Sequence, residues 1–92
     1  MTQQEIADLC VNSLAHTLRV DKARIDPKTK FNRLGLDSAM VVYVMMELEE
    51  KLDLELTTDD FYDYPTVEEL SGHLAKLRAA RNTALAASAA PA

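Results

Sequence analysis

The sequence contains a single cysteine and no long uninterrupted apolar run. One thiol, Cys10, cannot form an internal disulfide or a cysteine-based metal site, and its position on an apolar stripe predicts a buried structural thiol. No stretch is apolar enough for a transmembrane helix, and the polar segment from Met1 to Ile6 is unlike a signal peptide. These absences lead us to expect a soluble protein of the reducing cytoplasm.

Basic residues are scarce in the middle of the chain. Residues 36 to 70 contain eleven acids and one base, Lys51, and the whole chain has a formal net charge of -5. This balance disfavours nucleic acid, whose phosphates require a basic footprint, and suits partner proteins with basic patches. A solvated acidic face without a partner is the alternative. The acids do not form a calcium loop, because an EF-hand starting at Asp53 needs glycine where Thr58 stands and a carboxylate where Tyr64 stands.

Helical periodicity dominates the 92 residues, which suffice for one domain with one core. Capping-box spacing at Thr2 to Glu5 predicts a first helix over residues 3 to 19. Residues 20 to 36 lose this period, which predicts a long ordered loop. The apolar side chains expected to anchor the loop are Val20, Ile25, Phe31, Leu34 and Leu36. The interpretation of the second half is a short helix around Phe61 and a last helix opened by a capping box at Thr66 to Glu69, giving an all-α four-helix bundle.

The domain is expected to end near residue 80. From residue 81 to residue 92 the chain is rich in alanine and lacks an apolar stripe that could dock on a core. Termini without such contacts are commonly frayed. The sequence therefore predicts a domain over residues 1 to 80 and a flexible tail over residues 81 to 92.

The rest of the chain is organised around the segment FNRLGLDSAMVVYVMMELEEKL, residues 31 to 52. Gly35 suits a backbone conformation that other residues resist, and Asp37 and Ser38 both favour a helix N-cap. This predicts a second helix from Ser38 to about Lys51. A phosphate esterified to Ser38 would lie at the positive end of the helix dipole, where anions are stabilised. The alternative is that Asp37 and Ser38 only cap the helix.

The second helix is predicted to have two apolar faces. Its core stripe is expected to be Val41, Val44, Met45, Leu48 and Leu52. The apolar residues left outside this stripe, which indicate a docking surface, are Met40, Val42, Tyr43 and Met46. A helix buried nearly all round is the alternative. Glu47, Glu49 and Glu50 lie near the C-terminal end, which the dipole disfavours, so something other than helix stability is expected to keep them there.

The residue pattern does not predict catalysis by the domain itself. A nucleophile elbow at Ser38 would need glycine where Met40 stands. The two histidines, His16 and His73, have no recognisable orienting partner in the sequence, and we expect both at or near the surface. We therefore expect Ser38 to be a substrate that another enzyme modifies.

Several separated signals together resemble the acyl carrier proteins. They are the run LGLDS, residues 34 to 38, with Ile25-Asp26-Pro27 and Phe31 before it and YPTVEEL, residues 64 to 70, after it. The resemblance covers about residues 3 to 78. It implies a four-helix carrier domain whose Ser38 receives 4′-phosphopantetheine from coenzyme A through a phosphopantetheinyl transferase and then carries acyl groups as thioesters. With this resemblance, the residues expected to face partner enzymes are Asp37, Met40, Tyr43, Met46, Glu47 and Glu50.

Details of the segment favour one branch of this family. Peptidyl carriers usually have histidine where Asp37 stands, and carriers of fatty-acid synthesis commonly have acids where Met40 and Tyr43 stand. The chain is thus more similar to a discrete polyketide-type carrier, a monomer that meets acyl-loading, condensing and processing enzymes through basic or apolar patches, without nucleic acid or membrane. The alternatives are a fatty-acid carrier, an aminoacyl or peptidyl carrier, and a non-carrier helical adaptor with an acidic docking helix.

Overall fold

The computed structural model describes the backbone of residues 2 to 89 and the side chains of residues 2 to 81. It contains four helices, α1 (Gln3–Leu18), α2 (Ser38–Leu52), α3 (Thr58–Asp63) and α4 (Val67–Ala89). Two single 3₁₀ turns, Lys22–Arg24 and Phe31–Arg33, interrupt the loop between α1 and α2. No strand occurs among residues 2 to 89, so the predicted all-α fold with three longer helices and one short one is confirmed.

Local side-chain bonds explain where two of the helices begin. At α1 the backbone N–H of Glu5 donates to Thr2 Oγ1 at 3.2 Å, and the N–H of Thr2 donates to Glu5 Oε1 at 3.0 Å. At α4 the N–H of Glu69 donates to Thr66 Oγ1 at 3.1 Å. Each bond satisfies a backbone donor that has no partner inside its helix. Both helix starts were predicted from the sequence.

One core joins the four helices. α1 packs against α2 and α4, and α3 packs on α2. Side chains no more than 2% exposed include Ile6, Leu14, Val44, Leu48, Leu52, Phe61, Val67, Leu70 and Leu74. Cys10 is also buried in this core, as predicted. No helix among the described residues is long and apolar enough to cross a membrane.

The loop between α1 and α2 is fastened to the other end of the chain. Phe31 is buried, its ring centroid lies 5.8 Å from that of Phe61, and its N–H donates to the carbonyl of Pro65 at 2.8 Å. The N–H of Glu68 donates to the carbonyl of Pro27 at 3.0 Å. These bonds satisfy backbone groups that a long loop would otherwise leave unpaired.

The expected loop anchors are only partly right. Ile25 is buried like Phe31, and Leu34 and Leu36 pack on the core while half-buried. The prediction that Val20 anchors the loop is wrong, because this residue is 37% exposed. The preceding residue, Arg19, ends α1 in the left-handed conformation with φ 57°, and the N–H of Val20 then donates to the carbonyl of Ala15 at 3.0 Å. Val20 thus closes α1 through its backbone.

The short helix α3 is held by one carboxylate. Asp60 accepts the N–H of Thr57 on Oδ2 at 2.9 Å, and its Oδ1 lies 3.0 Å from His73 Nε2 on α4. The ring of Tyr64 stacks on His73 with centroids 4.0 Å apart. A six-residue helix is marginal by itself, so these contacts fix its position on α4.

Removing this carboxylate is expected to loosen α3. In Asp60→Ala, the cap at Thr57 and the bond to His73 are both lost, and we expect amide hydrogen exchange in α3 to accelerate about fivefold, equivalent to ~1 kcal/mol of cap stabilisation. Asp59→Ala is the matched control, since Asp59 is exposed and forms no bond to another described side chain. Equal exchange in the two variants would contradict the role given to Asp60.

The C-terminal segment differs from the expectation in its backbone. α4 continues as a helix to Ala89, past the predicted domain end at residue 80. Alanine-rich sequence has high helix propensity, which accounts for the continuation. Residues 90 to 92 of the predicted tail lie outside the described residues, and the flexibility of residues 81 to 92 stays a prediction.

Candidate functional site

The junction before α2 presents a hydroxyl to solvent. Gly35 has φ +88°, which reverses the loop just before the helix. Asp37 is the N-cap, since its Oδ1 accepts the N–H of Met40 at 2.9 Å. Ser38 is the first residue of α2 and is exposed. Asp37 provides the capping bond of α2, and the Ser38 side chain provides none.

The surroundings of Ser38 fit a phosphate ester. The backbone N–H groups of Ser38 and Ala39 have no acceptor among the described residues, because Asp37 engages only the amides of Met40 and, through its carbonyl, Val41. These amides and the helix dipole stabilise negative charge. The Asp37 carboxylate opposes it as a like charge. A phosphodiester on Ser38 would therefore reach free donors without displacing an existing bond.

A cleft of about 480 Å³ opens beside Ser38 between the start of α2, the Phe31–Arg33 turn and α3. The side chains around it are Lys30, Phe31, Asn32, Leu36, Asp37, Ser38, Val41, Phe61, Tyr62 and Pro65. Besides Asp37 and Ser38 themselves, Lys30 and Asn32 are its polar side chains, and the other walls are apolar or aromatic. The sequence did not indicate this cleft, because its walls come from three segments that only the tertiary fold brings together.

The outward face of α2 carries the predicted apolar residues. Tyr43 is 69% exposed, Met46 57% and Val42 39%, while Met40 is half-buried. On the opposite side Val41, Val44, Leu48 and Leu52 are buried, and Met45 is partly buried against them. The two-faced prediction is confirmed, and the alternative of a helix buried nearly all round is wrong. We refer to Met40, Tyr43, Met46 and Glu50 as the outer α2 face.

Of the three glutamates near the end of α2, two form bonds within the fold and one forms none with a described residue. Glu47 Oε2 accepts the hydroxyl of buried Ser13 on α1 at 2.9 Å, and its Oε1 lies 3.6 Å from Lys51 Nζ. Glu49 accepts the N–H of Leu56 at 3.1 Å and so shapes the connector after α2. Glu50 is exposed and has no partner among residues 2 to 81. The tertiary contacts of Glu47 and Glu49 supply the reason, sought in the sequence, for acids at an unfavourable helix end.

A second groove, of about 730 Å³, runs between the end of α1 and the outer α2 face. Tyr43, Met46, Glu47 and Glu50 line it from α2, and exposed His16 and Arg19 line it from α1. The position of His16 at the surface was predicted. His73, by contrast, is half-buried against α3 and Tyr64. Neither histidine lines the cleft beside Ser38.

Sequence comparisons agree with this architecture. The family model described as "Phosphopantetheine attachment site" matches residues 11 to 74. The acyl carrier protein of Chlorobium phaeovibrioides is 32% identical over 77 residues, 83% of this chain and 99% of the relative. A phenolphthiocerol/phthiocerol polyketide synthase protein of Mycobacterium tuberculosis is 35% identical over 63 residues, 68% of this chain but 3% of that protein.

Two solved structures have the same fold. The HMG-ACPI domain from the CurA module of Lyngbya majuscula superposes with a TM-score of 0.81 at 32% identity, covering 88% of this chain and 82% of the domain. A free-standing peptidyl carrier protein from Acinetobacter baumannii superposes with a TM-score of 0.78 at 32% identity, covering 80% of this chain and 92% of that one. The fold and the matched family model define a carrier domain. The chain belongs to the acyl carrier protein family, whose cofactor is phosphopantetheine.

Proposed function

We propose that Ser38 is the attachment site of 4′-phosphopantetheine and that the chain carries the acyl intermediates of polyketide assembly. The observation that carries this proposal is the exposed hydroxyl on the first residue of α2, beside unpartnered amides and inside the segment that the family model matches. When attached, the cofactor supplies a flexible thiol on which acyl groups travel as thioesters. A tether of this kind presents its cargo to an enzyme at high effective concentration.

The protein in this proposal binds and presents, and it does not catalyse. Neither histidine lines the cleft that holds the Ser38 hydroxyl, so neither is in place to activate it as a general base. A phosphopantetheinyl transferase must therefore perform the attachment, and partner enzymes must activate the thiol. The single free cysteine in the core suits the reducing cytoplasm, where we place the protein.

We assign partner docking to six residues around α2: Asp37, Met40, Tyr43, Met46, Glu47 and Glu50. Exposed Tyr43 and Met46 offer apolar contact, and unpaired Glu50 offers a charge for a basic patch. Glu47 already binds Ser13 and Lys51, so its contribution is the smallest of the charged group. The carrier is proposed to meet its partners as a monomer, without nucleic acid or membrane.

The assignment to polyketide assembly rests on the outer α2 face and on one relative. Apolar Met40 and Tyr43 stand where acids are common in carriers of fatty-acid synthesis, and the Mycobacterium tuberculosis relative is part of a polyketide synthase. Asp37 before Ser38 disfavours aminoacyl or peptidyl cargo. The peptidyl carrier from Acinetobacter baumannii has the same fold, so the cargo is decided by the docking residues and partner enzymes.

The test of the attachment is intact-protein mass after incubation with coenzyme A and a broad-specificity phosphopantetheinyl transferase. We expect the mass to increase by one phosphopantetheine group. An unchanged mass, with circular dichroism showing a folded helical protein, would overturn the carrier assignment. It would favour the non-carrier adaptor, which binds proteins through the acidic end of α2.

Reversing the character of the outer α2 face is expected to weaken acyl loading selectively. Tyr43→Glu puts a charge on a side chain that is 69% exposed, so folding and attachment at Ser38 should continue. We expect kcat/KM of a cognate acyl-loading enzyme to fall about fivefold or more, in the range of an interface residue worth over 1 kcal/mol. Ala23→Glu is the control, since it adds the same charge at an exposed residue that lines neither the cleft beside Ser38 nor the groove along the outer α2 face. Unchanged loading kinetics for Tyr43→Glu would contradict the docking role.

Because Cys10 is buried, attachment of the cofactor should change the number of reactive thiols in the folded protein from none to one. Burial raises the pKa of the Cys10 thiol to about 12, so at pH 8 it stays protonated and shielded. We expect the folded apo protein to react negligibly with a disulfide reagent, and the folded holo protein to react at one thiol. Unfolding the apo protein should expose Cys10 and restore its reaction. Rapid reaction of the folded apo protein would show that Cys10 is accessible.

A further inference from the structure

One basic residue of the loop between α1 and α2 lies on the wall of the cleft beside Ser38. The loop contains five bases, Lys22, Arg24, Lys28, Lys30 and Arg33. Of these, Lys30 alone lines that cleft. The loop therefore delivers a single positive charge to the part of the surface that also holds Ser38.

The backbone around Lys30 is fixed while its side chain is free. Its carbonyl accepts the N–H of Arg33 at 2.9 Å, and the N–H of the next residue, Phe31, donates to the carbonyl of Pro65 at 2.8 Å. The side chain of Lys30 is exposed and has no acceptor among the residues from 2 to 81. The backbone of Lys30 is thus fixed at the cleft, and its ammonium group has no acidic partner among the described residues to neutralise it.

A positive group such as the Lys30 ammonium would offset the negative charge around a modified Ser38. A phosphodiester carries a negative charge, and the nearest acid, Asp37, repels it. The free amides of Ser38 and Ala39 face the ester from the helix end, whereas Lys30 stands on the opposing loop. A lysine binds phosphate as a point charge, without the fixed geometry that an arginine would impose.

The remaining cleft walls match a chain of mixed polarity. Beyond Lys30, Asn32 supplies an amide that can donate and accept, and Phe31, Val41 and Phe61 supply apolar surface. A pantetheine arm has the same mixture of amides and methyl-bearing carbons. The cleft volume of about 480 Å³ is in the range of small-molecule sites.

We infer that Lys30 is a positioning residue that holds the phosphodiester on Ser38 against the loop, so that the arm lies in the cleft between α2 and α3. The inference rests on the proposed attachment at Ser38. Because Lys30 and the phosphodiester are both near solvent, the attraction is screened by salt. The charge therefore shifts the balance between a docked and a free arm and leaves the attachment itself unaffected.

The test uses holo protein carrying an arm labelled with ¹⁵N, prepared from labelled coenzyme A. The heteronuclear NOE of the arm amides reports their motion on the picosecond to nanosecond scale. In wild type we expect restrained amides at low salt and freer amides at 1 M salt. Lys30→Gln should lower the ratio of docked to free arm about two- to fivefold, as expected for an exposed ion pair, and remove the salt dependence.

Two further variants separate charge from structure. Lys30→Arg keeps the charge and should restore the restrained amides. Lys28→Gln removes a neighbouring exposed lysine that does not line the cleft, and it should behave as wild type. Equal arm mobility in wild type and Lys30→Gln, with full mass gain in both, would overturn the role of Lys30 and leave the attachment intact. Absence of mass gain in wild type would overturn the attachment and this inference with it.

Discussion

Ser38→Ala is expected to abolish cofactor attachment while leaving the fold unchanged. The variant lacks the only oxygen to which phosphopantetheine would be joined in this proposal, so transferase and coenzyme A should add no mass. Ser38 is exposed and its side chain bonds to no described residue, so the free energy of unfolding should change by less than about 0.5 kcal/mol. Intact mass and thermal unfolding of the same sample measure both quantities.

Asp37→Ala is the matched comparison for Ser38→Ala. The Asp37 carboxylate accepts the N–H of Met40 at 2.9 Å, so its removal should cost about 1 kcal/mol of stability. If the two adjacent residues were equivalent caps, both variants would lose similar stability. Mass gain in Ser38→Ala would place the attachment elsewhere, and strong destabilisation would show that its hydroxyl supports the helix.

Leu48→Ala is expected to have the largest effect on stability. Leu48 is 0% exposed on the inner side of α2, and truncating a buried leucine costs about 2–5 kcal/mol through lost burial and the cavity left behind. In a domain of this size each kcal/mol lowers the melting temperature by about 4–8 °C. Thermal or denaturant unfolding measures the loss.

Met46→Ala, two residues earlier on the same helix, is the control, for which we expect an effect on acyl loading and almost none on stability. Met46 is 57% exposed, so its truncation should change stability by less than about 0.5 kcal/mol. It should instead weaken acyl loading, because its side chain belongs to the outer α2 face. Stability losses of similar size in the two variants would contradict the assignment of separate core and docking sides to α2.

The sequence predicted well what depends on neighbouring residues. The start of α1 follows from Thr2 and Glu5, three positions apart, and the start of α2 from Gly35 and Asp37. Capping bonds and apolar periodicity act over one or two helical turns, so a linear pattern contains the information. The exposed hydroxyl of Ser38 belongs to this local group.

The unpredicted features depend on residues far apart in the chain. The bond from Ser13 to Glu47 spans 34 positions, and the guanidinium of Arg78 on α4 reaches the carbonyl of Leu52 at 2.6 Å across 26 positions. The cleft that unites Lys30, Ser38 and Phe61 is of the same kind. Nothing in the local pattern selects which surface charge will meet which partner, so these contacts emerge only from packing.

The bonds that fasten the loop to the start of α4 have a consequence for the order of folding. The pair Phe31 and Pro65 and the pair Pro27 and Glu68 are each more than 30 residues apart. Closing so long a segment costs entropy before any bond is gained, whereas the helices form from nearby residues. The loop should therefore form its native contacts after α1, α2 and α4 have associated. Mutations at Phe31 should accelerate unfolding more than they slow folding, with φ-values near zero.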